Sequence, residues 1–286
     1  MDDRTLIGLG AALYFAGFLF ALTFLIRSKP FGRWALYPVM LLGFIVQTIG
    51  LYQRGMVTGG CPLGNPFEIL QFISWSIVLL YLLVGAAFRL SILGFFTAGL
   101  VAGLSLVSWL IPMLDGPSLS HFPNPWIELH AASAIFSYGA MGLLAMTSLM
   151  FLLQNYGLRH RRLRGLFSLL PSIRDLELIN RRLLLLGTSV LTFSLILGSI
   201  YWLPNIASVD VAKLLLTITL WVVSLLLLLL HRIGKLHSIR FSYACIVLFL
   251  FALITVIPVD RSRNSLKPVS SSSEESPAVK SQEGAL

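Results

Sequence analysis

The stretch WIELHAASAIFSYGAM, residues 126–141, sets an aromatic, a carboxylate and a histidine ahead of a run that carries no further charge before Arg159. A run of that length and apolarity suits a helix that crosses a hydrocarbon core about 30 Å thick. The rest of the chain repeats the pattern. Of its 286 residues 57% are hydrophobic and 12% charged, with a mean hydropathy of +0.86, far from the composition of a water-soluble domain of this length. Several apolar windows of about 17 to 25 residues predict spans of the bilayer and leave no room for a soluble domain. The fold class is therefore all-α, a polytopic membrane helix bundle.

The net charge of +9 and the pI near 9.9 do not call for a nucleic acid, because basic residues flanking membrane helices are the ordinary topology signal. Hydropathy predicts about eight transmembrane helices, near 5–26, 34–52, 66–87, 90–110, 128–154, 183–203, 211–230 and 241–257. The connections are short, so consecutive helices are expected to pack as neighbours, with the basic stretch RHRRLRGLFSLLPSIRDLELINRR as the exception. The connections after the first, third, fifth and seventh helices hold 14 of the 21 Lys and Arg residues, which predicts both termini outside the cytoplasm. Arg261, Arg263 and Lys267 run against that assignment. A membrane domain is expected over 1–259 and a polar, Ser-rich, disordered tail over 260–286. The opening MDDRT has no basic n-region and no small-residue cleavage site precedes RSKPFGR, so the first helix is expected to be retained. Cys61 falls in a loop and Cys245 in a hydrophobic run, which argues against a bridge between them. GLVAG at 99–103 has the small-xxx-small spacing that lets membrane helices approach closely.

In CPLGNPFEILQFISW, 61–75, Asn65 reads as an N-cap, Pro66 as the first helical residue, and Glu68 as the carboxylate that reaches back to the cap. Glu68, Phe72, Trp75 and Leu79 also share one helical face, which lipid would penalise at Glu68. In the opening stretch His130, Ala134, Ser137 and Met141 form one stripe, with Tyr138 at its edge, and such a stripe faces protein. Two readings of His130 stand: an interface histidine bonded to water or a neighbouring helix, or an axial ligand of haem iron, for which a neutral imidazole supplies one lone pair and one N–H. His231, in LHRIGKLHSIR, is either an anchoring residue of a basic loop or a ligand at a second site. It is expected at the opposite membrane face from His130, about 30 Å away, so the two cannot share one iron. His160 reads as part of a basic loop. Trp109, Trp126 and Trp202 all map to the expected outer edge, as an aromatic belt or as stacking surfaces for a planar ligand. The histidine spacings do not match a zinc site, and no Ser–His–acid set, P-loop, dinucleotide glycine motif or HExxH is present. A small-solute transporter would carry charge near the midplane, where this chain has almost none.

Several stretches in order resemble the integral-membrane cytochrome c assembly proteins of the CcsA and ResC kind and their shorter relatives of the HemX type. PLGNPFEILQFISWS resembles the family's Pro-Leu-Ser-Asn/Asp-Leu-Tyr-Glu-Ser segment and the Phe-Leu-Ser-Trp-Ser beyond it. WIELHAASAIFSYGAM resembles its Trp-x-x-x-His helix, LELINRRLLLLGTSVLTFSLILGSIYW the helix entering its tryptophan-rich segment, and LLLLLHRIGK a helix end with a further histidine. The likeness runs from about residue 40 to 257. It implies that His130 is an external haem-iron ligand, that His231 binds b-type haem in transit at a separate inner site, and that Trp126 and Trp202 are stacking surfaces. The departures are equally specific. The tryptophan-rich segment is reduced to YWLPNIASVDVAK, keeping Trp202, Asp210 and Lys213, and the family's second external histidine has no counterpart, which leaves His121 as the candidate second axial ligand. The resemblance thus implies a bacterial cytoplasmic-membrane protein that handles haem in support of cytochrome c assembly without being an enzyme itself. Its expected partners are the lipid bilayer, haem, and another assembly subunit or a haem-biosynthesis enzyme, with no nucleic acid. A HemX-like, non-catalytic regulator or scaffold, docking through the basic stretch 157–182, is the alternative.

Overall fold

The computed structural model describes residues 2–27, 36–88, 92–111, 114–115, 124–161, 166–202 and 211–265. Among the described residues the fold is helical throughout: α1 (Asp3–Ile26), α2 (Tyr37–Thr58), α3 (Pro66–Phe88), α4 (Leu93–Leu110), α5 (Pro125–Arg159), the single turn α6 (Leu166–Leu169), α7 (Ile173–Trp202), α8 (Val211–Arg232) and α9 (Ser238–Ser265). Seven of these are long and apolar enough to cross a membrane, which makes the protein multi-pass. The polar residues Gln47, Gln53 and Arg54 keep α2 out of that set, although it runs for 22 residues inside the bundle.

Local chemistry sets the helix starts. The Asn65 Oδ1 accepts the Glu68 N–H at 2.8 Å, and Pro66 opens α3 as expected. In α5, Asn124 Oδ1 accepts the Trp126 N–H at 3.0 Å ahead of Pro125. Ser172 opens α7 by accepting the Asp175 N–H at 3.2 Å and donating to Asp175 Oδ2 at 2.6 Å. That last cap corrects the expected boundary at 183: the last ten residues of the basic stretch, 173–182, belong to α7, because a polar first turn is invisible to hydropathy. For the same reason α5 extends past 128–154 and α9 past 241–257, each at both ends. Residues 266–286 of the expected tail lie outside the described residues, as does Lys267, and the side chains of Arg261 and Arg263 do too.

The helices α1–α4 pack together, α7, α8 and α9 form a second group, and α5 stands between them against α3, α4, α7 and α9. Its position is plain from burial: 72% of the apolar window of α5 is buried, against 11% for α8, which faces outward. Consecutive helices do pack as neighbours, yet α5 with α7 and α9, α3 with α5, and α1 with α4 are equally part of the core. Small residues permit this. A Cβ on Gly139 would run into Ser76 Cβ, one on Gly142 would lie 2.7 Å from Ile77 Cδ1, and Gly187 faces Ala140 at 3.5 Å. The GLVAG expectation holds only in part: Gly99 abuts the Phe18 ring, at 2.9 Å from an added Cβ, whereas nothing lies within 4 Å of Gly103.

A buried uncharged chain ties the first four helices. Tyr14 donates to Gln47 Oε1 at 2.8 Å, Gln47 Nε2 to Gln71 Oε1 at 2.9 Å, and Gln71 Nε2 to Ser108 Oγ at 2.8 Å. In a bilayer such groups must find partners within the protein, so the chain selects one mutual arrangement of four helices.

The contrast between the glycines is testable by thermal unfolding in detergent. Gly139→Ala should lower stability by about 1–3 kcal/mol through overpacking against α3, while Gly103→Ala should leave the midpoint unchanged or raise it slightly.

Candidate functional site

The cap at Asn124 and Pro125 starts α5 so that His130 falls in its second turn, opposite the C-terminal half of α7. There His130 Nδ1 lies 2.6 Å from the Ser194 carbonyl oxygen, and the buried Ser194 Oγ donates to the His130 carbonyl at 2.8 Å while lying 3.0 Å from Nδ1. A carbonyl only accepts, so Nδ1 carries a proton, and in the neutral imidazole the lone pair then sits on Nε2. Gly198 makes the space for the ring: an added Cβ would stand 2.7 Å from His130 Cε1 and 2.8 Å from Nδ1. Sequence reasoning placed this histidine on a protein-facing stripe, and Ser137, Tyr138 and Met141 are indeed buried, with Tyr138 Oη 3.0 Å from Thr255 Oγ1 of α9. It missed Ser194 and Gly198, whose four-residue spacing in LTFSLILGSI was the available signal.

Trp126, one turn before His130, is 56% exposed. Trp202 is the last residue of α7, four positions after Gly198, and its side chain lies outside the described residues. His121 lies outside them as well. Trp109 is engaged otherwise, with its ring under the Arg4 guanidinium at 5.4 Å and edge-on to Phe67 at 6.3 Å. Among the described residues no three His, Cys, Asp or Glu side chains converge as a zinc site requires.

The same end of the bundle holds an ion network that the sequence did not disclose. Arg54, at the end of α2, donates to Glu68 Oε1 at 2.7 Å, Asp115 Oδ1 at 2.9 Å and Asp3 Oδ2 at 3.3 Å, and Arg4 reaches Asp115 Oδ2 at 2.8 Å. Glu68 is fully buried and also accepts the Gly64 N–H at 2.5 Å, one residue before the expected cap donor at Asn65, so it both reaches back across the helix start and serves as an ion-pair partner. Glu128 of α5 joins the network's edge by a short hydrogen bond from the Cys61 N–H to its Oε1. Burial, assisted by the Glu128 and Glu68 carboxylates, pushes the Cys61 thiol up to about 12. At neutral pH Cys61 is therefore a thiol and not a thiolate, and a poor nucleophile or metal ligand.

His231 sits at the opposite end, in the last turn of α8. Its Nε2 lies 3.6 Å from Glu177 Oε1 of α7, its ring stacks on Phe241 of α9 with centroids 4.1 Å apart, and its buried Nδ1 has no hydrogen-bond partner. Glu177 also accepts from Ser238 Oγ at 2.6 Å. The two histidines are thus separated by the length of the bundle, and each turns one ring nitrogen toward α7. They do not share a site, in keeping with the expected separation.

Residues 63–263 match the family described as Cytochrome C assembly protein. The chain is 31% identical over 202 residues to Protein HemX of Brevibacillus brevis, covering 70% of this chain and 74% of that one. It is 28% identical over 162 residues to the Cytochrome c biogenesis protein CcsA of Trieres chinensis, covering 53% and 52% respectively. It is 32% identical over 167 residues to Protein NrfI of Wolinella succinogenes, covering 56% of this chain and 18% of that protein. The chain thus spans about half the length of the CcsA relative and a small part of NrfI.

Alkylation tests the state of Cys61. At pH 8 iodoacetamide should modify it at least about a hundredfold more slowly than a free cysteine, since the reactive thiolate is depleted. Glu128→Gln should speed the reaction only in part, because burial is the larger cause of the shift.

Proposed function

The chain belongs to the cytochrome c assembly protein family, and on that footing we propose that it binds b-type haem as cargo in the membrane and supports cytochrome c maturation. The observation that carries this reading is His130. Its Nδ1 is tied to the Ser194 carbonyl at 2.6 Å, which in the neutral ring leaves Nε2 as the lone-pair donor with a fixed orientation. A ligating imidazole characteristically spends its other nitrogen on a carbonyl or carboxylate in this way. Haem brings the iron and its redox chemistry, while the protein contributes binding and orientation. His130 is the proposed axial ligand, Trp126 and Trp202 the stacking surfaces, and His121 the candidate for the second axial position.

His231 is the proposed ligand of a separate inner site. Two features support the fit: the carboxylate of Glu177 beside one ring nitrogen and the partnerless, buried Nδ1 at the other. We place the protein in the bacterial cytoplasmic membrane with both termini and His130 on the external side, following the excess of basic residues at the His231 end. Its partner in this role is another assembly subunit or a haem-biosynthesis enzyme. One observation favours a second reading as a non-catalytic regulator of the HemX type: the match covers 74% of that relative but only 52% of the CcsA one. The polar start of α7 and the basic residues before it would then form the docking surface.

Absorption spectra of protein purified from haem-supplied cells decide between the readings. Wild type should show a Soret band that His130→Ala reduces strongly. Gly198→Ala, which crowds the ring without removing it, should shift or weaken the band, and His231→Ala should remove only an inner-site fraction. A wild type without a Soret band after haem loading overturns haem binding and leaves the regulator.

A further inference from the structure

A groove of about 860 Å³ runs between α7 and α8 on the outward side of the bundle. Its walls are aliphatic, with Leu185, Val222 and Leu226 each about half exposed. Three arginines stand at its mouth: Arg181 and Arg182 in the third turn of α7, and Arg232 at the end of α8. All three are exposed. The mouth thus presents three guanidinium groups directly above a hydrocarbon-like trough.

We propose that this groove is a binding site for an anionic phospholipid, whose acyl chain lies along the α7–α8 trough and whose headgroup phosphate is held by Arg181, Arg182 and Arg232. The chemistry matches in both parts. Aliphatic walls that face outward from α8 are the surface along which a lipid tail lies, and guanidinium groups grip phosphate through paired N–H donors. Basic pockets between membrane helices near the headgroup level select anionic lipids for that reason. Porphyrin fits the groove less well: among the described residues its lining holds no histidine, methionine, cysteine or tyrosine to ligate iron and no aromatic ring to stack on the macrocycle. The site is separate from His130, which lies at the other end of the bundle, and it stands whether or not haem binds there.

The test uses the full chain in detergent, with phosphatidylglycerol or phosphatidylcholine of identical acyl chains added and retention read by native mass spectrometry. Wild type should retain phosphatidylglycerol at least about tenfold better than phosphatidylcholine. The triple variant Arg181→Gln, Arg182→Gln, Arg232→Gln should lose that preference, while Arg159→Gln, an exposed arginine at the same end but outside the groove, should keep it. Leu226→Trp leaves the arginines in place and fills the trough, so it should lower retention of both lipids. Equal retention of the two lipids by the wild type overturns the proposal, as does a preference that survives the triple variant. Displacement of phosphatidylglycerol by millimolar inorganic phosphate or by haem overturns it as well, reassigning the groove to a free anion or to porphyrin.

Discussion

The close approach of α5 to α3 and α7 is the constraint on which the other features depend. Lipid is as apolar as leucine, so burial of leucine against leucine does not by itself bring membrane helices together. What α5 offers instead is a set of absent side chains: Gly139 and Gly142 against α3, and Ala140 against Gly187 of α7. With backbones this near, the antiparallel α5 and α7 keep a single register over their length. That register puts Ser194 and Gly198 opposite His130 at one end. It also leaves the other end of α7, with Glu177, free to meet α8 and α9. The helix α7 consequently touches both histidines, although they are a bundle length apart.

Polar groups are sorted by depth. Charges gather at the ends, where Arg54 joins Asp3, Glu68 and Asp115 at one face and Glu177 meets His231 at the other. Between the ends the first four helices are linked by neutral partners, from Tyr14 through Gln47 and Gln71 to Ser108. Desolvating an ion costs several kcal/mol even after relaxation, whereas an amide that finds its partners costs far less. The Arg54 network survives because Glu68 is buried with every neighbour already arranged around it. By fixing the segment from Cys61 to Asn65, that network also positions the residue that Glu128 holds, and so links the start of α5 to the first four helices.

Much of this was legible in the sequence, and the exceptions have physical causes. Hydropathy found the spans because lipid demands long apolar helices, and the Asn65–Pro66–Glu68 pattern marked the start of α3 because its cap is local. It missed the beginning of α7, where Ser172, Arg174, Asp175 and Glu177 form a helix beyond the apolar region. The histidine at position 130 could be placed on a protein-facing stripe from α5 alone, but its partner could not: Ser194 lies 64 residues away, and nothing in one sequence pairs two helices. The Arg54 network escaped for the same reason, since its members come from four separate segments.

The way His130 is held also bears on what kind of site it can make. Both Ser194 groups and the bare face of Gly198 confine the imidazole, so the ring cannot turn to exchange its two nitrogens. A metal at this position would meet Nε2 and no other, with the ligand's orientation set by α7 before the cargo arrives. Trp126 offers an exposed surface one turn away, and no cluster of three His, Cys, Asp or Glu side chains forms at the ring among the described residues. Under the proposed role this is a one-handed grip: orientation is built into the protein, while the second axial position depends on a group from elsewhere in the chain, such as His121, or from a partner. In that role, a cargo held by one bond from the bundle would be released when that bond is exchanged, which suits transfer better than storage.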